Sequence, residues 1–572
     1  MAKSDIHFEV FIKKHKKASW TLVEATEDRQ TALDLAHKLQ ARHAKGSVRV
    51  KREQWISEES AFVGGTILET GAERFVEPEV KTGEASLPCL TPEDLAGSAA
   101  RDTVRRVLSG WLERKQVAPL ELLHRPELIE ELDGSDTDLQ HAVQKVAIAR
   151  AQNSDASVHA FVRIINDLVE KGVAQARKAA KKRKRDTSSD GFARIVEKIH
   201  ADGAPERRLR TAIADKLADH RDFTAKASAL LDLCQELPAS AEARAFALAE
   251  VDNFLAEMLS FDGAARGLMG KTDDLGDEVL RLTAIYEGSP SGPDLLDAPE
   301  IARRLAERFA SQALPVSHIE IAKRILSALR GPKRFRPDSV MAEVELARKL
   351  AQRLIAASGP NLHPDSLVEA FTHRSSKLLA PAAIEEALAN SKDPSEQIER
   401  LYKMEDNLVG EQNKTKLAGY IRAQLKAPKS ESFFIRGEGS PFERLARLAA
   451  LQERAAQGAF PEKDKQELVD AFDRVGLAVL DETKVLNRLG ASDQAPLDRA
   501  RALLKLAARG ILPTGQCLND AKARAMRILS DEMGQSAASL PENRSTVLEI
   551  QTLMQALSPA SEDAGAVTAK SA

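Results

Sequence analysis

The strongest constraint on this chain is a unit that recurs along it: a helix start, an apolar stripe at helical spacing, and a helix stop. Residues 337–360 carry it most completely. Asp338 or Ser339 can accept a hydrogen bond from an unpaired amide at the helix start, and Glu343 and Glu345 place negative charge near the positive end of the dipole. Val340, Val344, Ala347, Ala351 and Leu354 then share one helix face, which needs a surface to pack against. Gly359 is expected to form a left-handed terminus, and Pro360 stops the helix. Just upstream, Ile319, Ala322, Ile325, Leu326 and Leu329 form a second apolar face closed by Gly331 and Pro332, so the two stretches predict an αα-hairpin.

A chain of 572 residues exceeds one hydrophobic core. Only 4% of it is aromatic against 43% hydrophobic, so packing must come from Leu, Ala, Ile and Val, which suits closely approaching helices. The expected fold is mainly all-α: a non-uniform array of helical hairpins, solenoid-like or stacked as bundles, preceded by a small N-terminal α/β module of ββαβ outline.

The module is read in residues 1–56. Ile6, Phe8, Val10 and Ile12 alternate as a strand, and a second strand follows from Trp20. A helix then points Ala32, Leu35, Ala36 and Leu39 inward, and a third strand covers residues 48–51. Such a module is marginal alone, so it either docks on the helices or pairs through its sheet edge. Residues 57–90 read as a linker holding at most a weak hairpin over 62–76. Gly64 and Gly65 lack the spacing and the lysine of a phosphate loop. Helical domains are expected over 91–176, 191–330 and 331–557, with a disordered tail at 558–572.

Between the first two lies the run Arg177, Lys178, Lys181, Lys182, Arg183, Lys184 and Arg185, read as a solvated basic linker over 177–190. Its sharper reading is a phosphate-contacting segment for nucleic acid, although no aromatic residue is interleaved for base stacking. The net charge of −3 supplies no global field for such a partner.

Cys89, Cys234 and Cys517 are isolated, which points to a reducing cytoplasm and away from a CxxC site; Cys517 lies near a helix start, where a thiol can acidify. No signal peptide is expected after Met1, and no apolar run reaches the roughly 18 residues of a membrane span. The histidines are scattered without HExxH, so no metal or cofactor is expected. His363 and His373 form the nearest pair in the helical half, and His124, beside Pro126, reads as a satisfied cap. No catalytic residue is assigned.

One stretch differs from the rest. On a continuous helix over 395–425, Asp406, Asn407, Gly410, Asn413 and Lys414 would share a polar stripe with a gap at Gly410, fit either for an interhelical network or for a ligand. The functional expectation is a non-catalytic cytoplasmic adaptor or scaffold whose partners are other proteins, with self-association through the module as one route. Nucleic-acid binding by residues 177–185 is the alternative, and an enzyme or ligand-binding protein with a site near 405–414 is the second alternative.

Overall fold

Residues 6–13, 20–43, 46–56, 61–71, 89, 91–135, 137–152, 157–183, 191–201, 205–491 and 493–557 are described by a computed structural model. They form one four-stranded sheet and 28 α-helices. The chain is mainly all-α with a small N-terminal α/β module, and no helix among the described residues is long and apolar enough to cross a membrane. The tail at 558–572 lies outside the described residues.

The module comprises β1 (Ile6–Lys13), β2 (Thr21–Thr26), α1 (Arg29–Arg42), β3 (Ser47–Ile56) and β4 (Ala61–Gly71), in the antiparallel order β2-β1-β3-β4. Period-two alternation explains the packing. Phe8, Val10, Ile12, Val48 and Val50 all turn to one face, where α1 covers them with Ala32 and Ala36. Asp28 starts α1 by accepting from the Thr31 amide at 2.7 Å. The expected outline was one strand short. β4 pairs with β3 along its length, because a four-residue connection is enough for a hairpin. Asp365 lies 3.2 Å from Arg29 Nε and 3.9 Å from Arg52 Nε, tying the module to the helix Pro364–Leu378.

The chain divides into two compact units, Met1–Phe335 with Leu350–Ala370, and Arg336–Lys349 with Phe371–Ala572. Residues on both sides of the basic run fall in the first. In that unit the helix Asp138–Gln152 pairs with Val158–Arg183, and Pro315–Arg330 packs on Ala241–Leu259 and Leu275–Tyr286, not chiefly on the helix that follows it. In the second, Pro441–Gln457 pairs with Glu462–Thr483 and Pro496–Ala508 with Gln516–Ser530. The helix Val340–Ala356 buries Val340, Val344, Ala347, Ala351 and Leu354 as its spacing requires. Ser339 caps it. Its end differs from expectation: Gly359 keeps negative φ and bonds reciprocally with Leu362 at 3.2 Å, a tight bridge around Pro360.

Several helices begin on a carboxylate from a distant helix. Asp252 accepts from Val316 N and Ser317 N at 2.6 and 2.8 Å, and Glu257 from Leu120 N at 2.7 Å. In the second unit Asp473 accepts from Gln516 N and Cys517 N at 2.6 and 2.9 Å, and Glu386 from Val340 N at 3.0 Å. Each satisfies amides that have no partner inside their own helix. Gly515, at φ 120°, lets Asp473 in, since a Cβ there would lie 2.5 Å from its Oδ2. Asp473→Ala should therefore strip one buried and one partly buried amide and lower stability by about 2–3 kcal/mol. Hydrogen exchange of the first turn of Gln516–Ser530 should accelerate with it; unchanged protection would refute the cap.

Candidate functional site

The short helix Pro119–His124 is set by two prolines. Pro119 opens it, and Pro126 forces Arg125 into extended backbone, φ −124° and ψ 95°, so that His124 is its last residue. Charges hold both ends. Glu257, which also pairs with Arg101, takes the Leu120 amide, while buried Glu121 binds Lys226 and Arg125.

His124 is only 7% exposed. Its Nδ1 lies 3.1 Å from Thr211 Oγ1, and that hydroxyl donates to the Arg207 carbonyl at 2.8 Å, so it meets the imidazole as an acceptor. This network assigns the ring proton to Nδ1 and leaves a lone pair on Nε2. Nε2 has no hydrogen-bond partner among the described residues. Burial, with the positive charge of Arg210, Arg207 and Arg101 nearby, pushes the imidazole's pKa down to about 3. The ring is neutral at physiological pH. The expectation of a satisfied cap thus fails at one nitrogen: Pro126 fixes where the helix ends, but the ring turns inward to Thr211.

His124 lines a cavity of about 260 Å³ in the first unit. Leu95, Leu108, Leu122, Ile129, Val169 and Val173 make it largely apolar. The helix Val158–Arg183 approaches closely because residue 172 is glycine; a Cβ there would sit 3.2 Å from Leu95 Cδ1. A polar clasp spans the wall, with Gln175 donating to Glu93 at 2.7 Å and accepting from Arg207 Nη1 at 2.9 Å. Arg210, also on the lining, is bound by Glu250 at 2.6 and 2.9 Å.

The 405–414 stretch is built otherwise than a continuous helix would have it. The helices Pro394–Asn407 and Glu411–Leu425 are separated by a turn in which Gly410 adopts φ 99°. The Asn413 amide pins that turn, donating to Val409 O at 2.7 Å and Thr372 O at 2.9 Å. Lys414 Nζ binds Glu405 Oε1 at 2.8 Å, and that oxygen also takes the Ala459 amide at 3.0 Å. Asp406 pairs with Arg454, and Asn407 donates to Lys403 O at 2.6 Å. These groups are spent on holding helices together and do not converge on one point. Gly410→Ala should cost about 2 kcal/mol, since a left-handed backbone disfavours a side chain and the Cβ would lie 2.7 Å from Thr372 Cγ2. Adding Thr372→Ser should recover part of the loss in thermal melts; no recovery would place the cost elsewhere.

The basic run is helical as far as Arg183, helped by Ala179 and Ala180 and by the favourable position of cations at a helix C-terminus. Arg177 pairs with Glu130 at 2.5 Å, whereas Lys178 and Lys181 face solvent. The side chains of Lys182 and Arg183, and all of Lys184 and Arg185, lie outside the described residues.

Cys517, near the start of Gln516–Ser530, does not acidify. Burial and its contact with Asp473 push its thiol well up, and burial raises Cys89 and Cys234 to about 11. His363 Nδ1 accepts from the Asp365 amide at 3.3 Å, and no group of three metal-ligating side chains occurs among the described residues. No family model, curated protein or solved structure matches this chain.

Proposed function

We propose that this protein is a non-catalytic interaction scaffold acting in the cytoplasm, with helical surfaces as its body and the N-terminal module as the element that recruits other proteins. The observation that carries the reading is β2. It is an edge of the sheet, all of its residues but Thr26 are exposed, and Leu22 and Val23 remain 48% and 43% exposed. An edge strand offers an unpaired row of backbone donors and acceptors, and apolar side chains beside it add affinity to strand addition. The engagement of the 405–414 groups in contacts that hold helices together and the raised pKa values of the three buried thiols support binding over catalysis. The thiols also suit a reducing compartment.

Capture with the full chain and with Leu22→Asp/Val23→Asp tests this. Proteins, or a second copy seen by sedimentation, should be lost with the double variant and kept when exposed Leu296 is changed to Asp instead. An unchanged set of partners would end the proposal.

A further inference from the structure

We infer that the N-terminal module is a detachable arm, held to the helical part of the first unit by a salt-sensitive seam in which Arg29 and Arg52 share Asp365. This goes beyond the scaffold reading and holds whatever β2 binds.

Two observations converge. The first is that the module's core is its own. Phe8, Val10, Ile12, Val48 and Val50 pack with Ala32 and Ala36, and every apolar side chain joined to that cluster also comes from the module. Among the described elements, none outside the module packs extensively on α1 or on the four strands. Parts of a chain that share no large apolar interface move relative to one another by default.

The second is what does join them. Pro364 opens the helix Pro364–Leu378 and puts Asp365 in its first turn, where the positive end of the dipole favours a carboxylate. Asp365 meets Arg29 at 3.2 Å and Arg52 at 3.9 Å. Glu369, one turn further on, adds its field to Arg52 while Arg330 binds it at 3.0 Å. Neither side is locked by these charges. Burial lowers the pKa of Arg52 more than Asp365 and Glu369 raise it, and raises that of Glu369 more than Arg330 and Arg52 lower it. Each group loses more by leaving water than its partners return, so the docked arrangement lies close to balance with the released one.

Raising salt from about 0.1 M to about 1 M shortens the screening length from roughly 10 Å to roughly 3 Å, which weakens the seam and leaves the module's apolar core intact. Spin labels on Lys38→Cys in α1 and Lys323→Cys in the helix Pro315–Arg330, both exposed, report the separation in the full chain by double electron–electron resonance. The three native thiols are buried and resist labelling. One dominant distance is expected at the lower salt, with a broad second population growing at the higher. Asp365→Asn should enlarge that population about fivefold at the lower salt, the scale of one partly exposed ion pair, and blunt its salt dependence. Arg29→Gln, which leaves the helix Pro364–Leu378 untouched, should act in the same direction, and Arg42→Gln at the far end of α1 should change nothing. The inference is overturned if the wild type keeps one distance at both salts, if Asp365→Asn and Arg29→Gln match the wild type, or if Arg42→Gln opens the module equally.

Discussion

Lys226→Met is expected to destabilise the first unit by about 3 kcal/mol, the scale seen when one partner of a buried ion pair is removed. Lys226 and Glu121 are 2% and 0% exposed. The ammonium donates to both Glu121 oxygens at 2.9 Å and to Gln116 O at 2.6 Å. Burial still lowers the lysine's pKa, outweighing the attraction of Glu121, so desolvation is the larger effect at this pair. The loss on mutation comes from stranding the carboxylate, which would keep Arg125 alone at 2.8 Å. Glu121→Leu with Lys226→Met should consequently be more stable than Lys226→Met by itself. Urea unfolding followed by tryptophan fluorescence measures the cycle, with buried Trp111 a few residues from Gln116 as a local reporter. A single variant as stable as the wild type would show that the pair contributes nothing.

The second large effect is on acid stability. His124 has a folded pKa near 3 against an ordinary value of 6.5, so the unfolded chain takes up the proton first. Its contribution to stability is complete above pH 6.5 and is lost as the pH falls towards 3. Between pH 7 and pH 5 this group alone should remove about 2 kcal/mol. Buried Asp252 and the partly buried Glu257 and Glu369 act oppositely at lower pH, because desolvation raises their pKa values and the folded state then binds the proton more readily. The informative quantity is therefore the difference between wild type and His124→Asn across pH. That difference should fall by about 2 kcal/mol over the interval. A pH-independent difference would mean the imidazole is not held neutral.

What could be read in advance followed local rules. Alternation at Phe8, Val10 and Ile12 marks β1. The stripe from Val340 to Leu354 marks a buried face. Propensity failed where a distant atom decides the backbone. Nothing near Gly410 announces Thr372, whose carbonyl takes the Asn413 amide from 41 residues away, so a helix was expected to run through the turn. β4 was missed because its glycines and short apolar runs carry no clear period, although β3 completes it by pairing. The cavity was invisible for a related reason. Its walls come from seven helical segments, and the state of His124 depends on Thr211, 87 residues further on.

The carboxylates that start distant helices have a consequence for how each unit comes apart. A repeat array can fray inward from its ends, since each repeat leans only on its neighbours. Here the opening turns of Pro315–Arg330 and Gln516–Ser530 are completed by Asp252 and Asp473, 65 and 44 residues earlier. Peptides excised over those helices would lack their acceptors and should be largely unstructured in water. Within each unit, loss of one such contact removes support from two stretches of chain at once, which favours melting as a block over peeling strip by strip.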